Sequence, residues 1–245
     1  MGTGRSSILT YHSLDRSGSV ISIAPEAFQA QMVWLEESGA PVVPLEAVQA
    51  TPGAVAITFD DGFRNFYEHA FPVLQRYRFP ATVFVVSDFC GRRNDWPTQP
   101  RNSGIPLLDL MGWDELQEIS RAGIVIGSHT ATHPFLSRLS AGEISREIST
   151  SKAKIEDRLG KPAAAFAYPY GDFTPPVRAA VASQFGLACG TRLAFLSGGD
   201  DPLALPRLDM YYLQNPFWFR GLGSFRGKAY VGARGLVRGL RNRLP

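Results

Sequence analysis

Cysteine is nearly absent from this sequence: Cys90 and Cys189 are the only two in 245 residues, and they form no Cys-x-x-Cys pair. Their scarcity excludes a disulfide framework and a thiolate zinc site, leaving two buried free thiols as the expectation. Long apolar runs are also missing, and with them the stretch of about 18 apolar residues that a membrane-spanning helix needs. The N-terminus, Met1 to Ser6, has no apolar leader or small-residue cleavage site, so the expected compartment is the cytoplasm. Acidic side chains are missing from residues 216–245, which hold seven basic ones (Arg220, Arg226, Lys228, Arg234, Arg238, Arg241 and Arg243). The remainder of the chain carries 18 basic against 22 acidic residues, so the net charge of +3 hides a mildly acidic body with a basic tail.

What is present is globular. Hydrophobic residues make up 44% and charged residues 19%, and this length commonly forms one domain when the fold is a barrel. We therefore expect a domain over 1–215 and a basic tail over 216–245. Six glycines between Gly221 and Leu244 weaken an isolated helix, so the tail reads either as a basic amphipathic helix or as a solvated segment. As a helix it would suit peripheral contact with an anionic membrane or with an acidic partner in a polysaccharide-building assembly. Nucleic acid is not expected, because no recognition motif accompanies the charge.

Apolar runs and helical periodicities alternate along the chain. Strands are expected at Ser7–His12, Val42–Val43, Ala54–Ile57, Ala81–Val86, Ile124–Ile126 and Ala164–Ala167, with weaker ones near Leu187–Ala188 and Leu193–Phe195. Helices are expected over Glu26–Ser38, opened by Pro25 and stopped by Gly39, and over Arg64–Tyr77 with a kink at Phe71-Pro72. Others fall at Asp114–Arg121, Ser140–Leu159 and Pro175–Gln184; Ser140 and Glu143 form a capping box. Residues 87–110 lack periodicity, and long loops of that kind are often functional. The β/α alternation, which runs almost throughout, implies parallel strands, closed into a barrel or opened as a doubly wound sheet.

Two groups of residues carry chemistry. Thr58-Phe59-Asp60-Asp61-Gly62 sets adjacent carboxylates at the C-terminal end of a buried strand, where α/β folds gather catalytic groups; Asp-Asp-Gly is also ordinary turn chemistry. His129-Thr-Ala-Thr-His133 places two imidazoles four residues apart just after another strand, and a helical turn there would aim both rings the same way. Imidazoles with a carboxylate suit a divalent metal, Zn²⁺ first and also Co²⁺, Ni²⁺ or Mn²⁺. His69 lies inside a helical stretch and reads as structural. Trp96, in the Gly/Pro-rich loop, is a candidate rim residue for stacking on a sugar ring.

The sequence resembles the polysaccharide deacetylases with a NodB-type domain, carbohydrate esterase family 4. Thr58–Gly62 matches that family's first motif, Ser128–Pro134 its second, in order and separation, and Phe166-Ala-Tyr-Pro-Tyr-Gly171 resembles its third. The likeness runs from about Ile8 to about Leu208. It implies a distorted (β/α) barrel of about seven strands that removes N-acetyl groups from an N-acetylated glycan. It further implies Asp60 as general base and Asp61, His129 and His133 as metal ligands; in the third-motif turn Tyr168 and Pro169 are candidate substrate-binding residues, and a backbone N–H near Tyr170 would face an oxyanion. Two rival readings are a hydrolase of a non-sugar amide and a catalytically silent glycan-binding or scaffold protein of the same fold.

The departures from the family pattern are specific. Ala167 stands where an arginine commonly steadies the base. Leu205-Pro206-Arg207 stands where a Leu-x-His would supply the general acid, and the Asp and Trp of the fourth motif are not evident. In a closed barrel the first strand neighbours the last, so His12, which ends the first strand, is the candidate general acid. Arg207 is the candidate replacement for the missing arginine, able to fork onto Asp60 or simply to form a structural ion pair.

Overall fold

The computed structural model describes residues 5–99 and 104–241, with side chains to residue 238. Residues 100–103 of the irregular segment, and Met1 to Gly4 and Arg243 among the termini, lie outside the described residues. Strand β1 (Ser7–Tyr11) leads into a two-residue strand β2 (Ser13–Leu14), which pairs in parallel with β3 (Ser22–Ile23). Helix α1 (Pro25–Ser38) begins on a proline whose missing N–H would be unpaired there anyway, and ends at Gly39 in the left-handed conformation. Strand β4 (Val55–Phe59) follows. The next helical stretch is a π-turn over Phe66–Ala70 running into α2 (Phe71–Tyr77). Pro72 explains the π-turn, since it offers no N–H to the α-helical ladder and crowds the carbonyl four residues back.

Then come β5 (Thr82–Val85), α3 (Trp113–Arg121), β6 (Val125–Ser128), α4 (Ala141–Leu159), β7 (Phe166–Ala167), α5 (Pro175–Ala182), β8 (Ala188–Cys189) and β9 (Leu208–Asp209). The chain closes with α6 (Pro216–Arg220) and α7 (Phe225–Arg241). Seven strands form one sheet in the order β8-β7-β6-β5-β4-β1-β9, and every pair in it is parallel. The segment 205–209 touches both edges: Leu205 exchanges backbone bonds with β8, while Leu208 and Asp209 pair with β1. The sheet therefore curls into the expected distorted barrel.

Alternation along the strands divides the core. Ile8, Ala56, Phe84, Ala165, Ala167, Cys189 and Leu205 pack as one cluster within the curl. Leu9, Ile57 and Ile126 instead pack outward with α1, α3 and α4 through Phe28, Met32, Ile119 and Ile148. The interior has little room, since a Cβ on Gly127 would stand 2.6 Å from the Phe84 ring. Both cysteines are free thiols, and burial pushes each up to about 12, which makes them inert at neutral pH.

Two expectations about elements need correction, and one left open is decided. Val42–Val43 makes only a single bridge, Val42 to Val55, because Pro41 and Pro44 flank it and neither can donate to a ladder. Leu193–Phe195 is not a strand; residues 205–209 already occupy both open edges of the sheet, and β9 was not foreseen. The basic tail, in turn, is helical. Gly227 and Gly235 do not weaken α7 but admit it: a Cβ would fall 2.1 Å from Gly221 O and 2.6 Å from Leu193 O respectively. Val231 is buried, Tyr230 stacks on Trp218, and Arg238 bonds Asp209 Oδ2 at 2.9 Å.

Candidate active site

The C-terminal ends of β1, β4, β6, β7 and β9 converge on a cleft of about 500 Å³. Asp60 and Asp61 leave β4 through a turn in which Asp61 and Gly62 both have positive φ, 70° and 77°. Gly62 is required here on two counts, its conformation and its approach to Val85, whose Cγ1 would lie 3.1 Å from an added Cβ. The turn sends the two buried carboxylates to different partners.

Asp60 meets Arg207, a buried residue 2% exposed. Nη1 donates to Oδ1 and Nη2 to Oδ2, each at 2.7 Å, a two-pronged fork. Arg207 is itself held by Nε donating to Gly190 O at 3.0 Å and by Nη1 reaching Thr58 Oγ1 at 3.3 Å. Burial alone would raise the Asp60 carboxyl, but the Arg207 charge and its hydrogen bonds outweigh it and hold the group below the usual carboxylate range. His12 lies beside the pair, its Nε2 3.8 Å from Asp60 Oδ2 and its side chain 24% exposed to the cleft.

Asp61 faces the two histidines. Its Oδ1 is 3.4 Å from Nε2 of His129 and 3.4 Å from Nε2 of His133, and those nitrogens are 3.3 Å apart. A tetrahedral ion with bonds of about 2.0–2.1 Å sets its ligand atoms about 3.3–3.4 Å apart, so this triangle fits one. The tautomer fits as well. His129 Nδ1 stands 2.8 Å from Ala167 O and so carries the proton, leaving the Nε2 lone pair turned to Asp61 and His133. The histidines do not share a helical turn as the spacing suggested. The loop between them instead reverses through left-handed residues, Thr130 at φ 69° and His133 at φ 60°.

That strained loop is held from both sides. Backbone N–H groups of Ser87 and Asp88 donate to Thr130 O and Ala131 O. From α4, Glu147 Oε2 accepts from Ala131 N and Thr132 N at 3.0 and 2.9 Å, and Oε1 from the Thr132 hydroxyl at 2.8 Å. Thr130 Oγ1 accepts from His133 N at 2.9 Å, and Thr98 donates to His133 O at 2.6 Å.

The remaining candidates divide. Tyr170 borders the cleft at φ 59°, its ring stacked on Phe135 and edge-on to His133. Tyr168 also borders it, with its hydroxyl donated to Leu203 O at 3.0 Å, while Pro169 is buried and does not reach the cleft. Trp96 lines the cleft, though little of it is exposed there. It is 3% exposed and packs its ring 4.3 Å from that of His133, because the irregular segment folds inward onto the histidine loop. Glu147, Thr98 and Arg238 were not singled out from the sequence; each acts across a separation that no local pattern marks. Only Arg238 carried a signal, the basic tail to which it belongs.

Comparison with known proteins places the chain among relatives. The family profile described as polysaccharide deacetylase matches residues 47–190. The candidate polysaccharide deacetylase YxkH of Bacillus subtilis is 28% identical over 174 residues, 68% of this chain and 57% of that protein. A poly-beta-1,6-N-acetyl-D-glucosamine N-deacetylase of Staphylococcus aureus is 26% identical over 61% of this chain and 54% of its own length. The chain thus spans about half the length of these relatives. Among solved structures, IcaB from Ammonifex degensii superposes with a TM-score of 0.77 at 25% identity, covering 92% of this chain and 98% of that one. A profile spanning more than half the chain, over the very strands that end in Asp60, Asp61, His129 and His133, leads to one conclusion: the chain belongs to the polysaccharide deacetylase family.

Proposed function

We propose that the protein is a metal-dependent hydrolase that removes N-acetyl groups from an N-acetylated glycan or glycan precursor. The observation that carries this reading is the pairing, in one cleft, of the Asp61–His129–His133 triangle with a separate carboxylate, Asp60, clamped by Arg207. The names of the relatives support poly-N-acetylglucosamine as the first substrate to try. Asp61, His129 and His133 would hold the ion, Zn²⁺ by donor type, with Co²⁺, Ni²⁺ or Mn²⁺ also suited. When bound, such an ion polarises a carbonyl and lowers the pKa of water.

The chain's own groups do the rest. Asp60, kept ionised by Arg207, takes a proton from the attacking water as its oxygen bonds the acetyl carbon. Each Asp60 oxygen retains a lone pair beyond the one Arg207 uses, so the fork orients the base without blocking it. The backbone N–H at Tyr170 serves the developing oxyanion. The C–N bond then breaks as His12 gives a proton to the amine nitrogen, and its position beside Asp60 lets the proton taken from water return along the same wall. Acetate and the free amino sugar result.

Acetate release from N-acetylglucosamine oligomers tests the reading. It should be metal-dependent and lost in Asp60→Asn. Stoichiometric metal and glycan affinity without acetate release would overturn it in favour of a silent glycan-binding protein.

A further inference from the structure

The opposite end of the barrel holds a second cavity, larger than the cleft, at about 830 Å³. Ser7 and Val55, the first residues of β1 and β4, lie in its wall, whereas His12 and Asp60 follow the last residues of the same strands. A strand of five residues separates the two sites by roughly 15 Å. The walls come from α1 (Trp34 and Leu35), from Phe195, and from Phe219 and Leu222 at the α6–α7 elbow. The elbow is a built feature, since Gly227 packs directly on Gly221.

Charge at this cavity has one sign. Arg5 and Lys228 line it, no acidic residue does, and neither cation has an ion pair among the described residues. An apolar interior with two uncompensated cations complements a molecule that is apolar along its body and anionic at one end. Just outside, Phe225 is 86% and Phe217 62% exposed, so apolar surface continues from the α6–α7 elbow into solvent.

We infer that this cavity binds a single-chain amphiphile with one anionic head group. Its acyl chain lies between Trp34, Leu35, Phe219 and Leu222, and its carboxylate or phosphate is met by Arg5 and Lys228. The site is independent of the deacetylase reading, because none of these residues reaches the catalytic cleft.

Displacement of the fluorescent fatty acid cis-parinaric acid from the full chain tests the inference. Palmitate and lysophosphatidate should each displace the probe saturably at one site, and whichever binds more tightly identifies the head group. Hexadecanol should bind about tenfold more weakly, for want of the charge. Leu222→Trp, which fills the cavity, should weaken all three by about tenfold or more. Lys228→Glu should weaken the two anions and leave hexadecanol unchanged. If Leu222→Trp does not fold by circular dichroism, Ala40→Phe fills the cavity from the other wall. Absence of saturable probe binding, or binding indifferent to both the filling variant and Lys228→Glu, overturns the inference. Acetate release should be unaffected by these variants.

Discussion

Asp60 and Asp61 are chain neighbours, both buried, and both at the end of β4, yet the protein treats them in opposite ways. Asp60 is given a permanent cation from within the chain, through a fork that spans 147 residues of sequence. Asp61 is given two imidazoles, that of His129 with its Nε2 lone pair turned inward, and no arginine or lysine of its own. One half of the site is electrically complete as folded. The other half gathers a carboxylate and two imidazoles with no arginine or lysine among them, and the proposed division into base and ligand rests on that asymmetry.

Removing each carboxylate in turn has the largest expected effect. Asp61→Asn should lose both bound metal and turnover, whereas Asp60→Asn should keep the metal and lose turnover by about 10²–10⁴-fold. Metal analysis beside acetate release reads both, and equal metal loss in the two variants would erase the division of roles. Removing the internal cation is the next largest perturbation. Arg207→Ala leaves Asp60 buried and unpaired, at a cost of about 3–5 kcal/mol in denaturant unfolding.

The pH dependence follows with a definite sign. Asp60 is depressed in the folded protein, so its contribution to stability is present above the ordinary carboxylate range and lost as pH falls through the folded value. In Arg207→Ala burial prevails and the carboxyl rises, so the acid limb of kcat/KM should move toward neutral pH. Arg207→Lys, which cannot fork, should move it less. An acid limb that stays put would leave Arg207 a purely structural residue.

His12→Asn tests the far side of the Asp60 half. A fall in kcat of about 10²-fold or more with metal content unchanged is expected for loss of a general acid. Undiminished turnover would remove His12 from the reaction. The smallest expected effect lies on the Asp61 half, at Glu147. Glu147→Ala should weaken metal affinity about 10–100-fold in a chelator competition by releasing Ala131 and Thr132. Glu147→Gln, which can still accept from both N–H groups, should lose less. Full metal affinity in Glu147→Ala would show that the loop holds its own shape.

Much of this was legible in local patterns. Alternating apolar runs and helical periods yielded the parallel β/α order, and Ser140 with Glu143 marked the start of α4, where both halves of the capping box form. The two motifs lie at strand ends as read. The errors have local causes too: Val42–Val43 has β-forming side chains but prolines on both flanks, and β9 is only two residues long, too short to show a period. The Gly/Pro-rich surroundings of Trp96 mark a loop but not how far its ring is buried against His133.

By itself the sequence determined the positions of the two acids and the two histidines along the chain, because strand ends, turn glycines and caps are written over a few consecutive residues. Through its resemblance to the family, it further placed Ala167 where an arginine commonly stands and Arg207 late in the chain. Only the tertiary structure decided that β9 lies beside β1, and so that Arg207 grips Asp60 rather than Asp61 while His12 stands next to them. The same holds for Glu147 beneath the histidine loop and for α7 against the body. These pairings join residues far apart in the chain, and their geometry exists only once parallel strands are ordered and the sheet has curled.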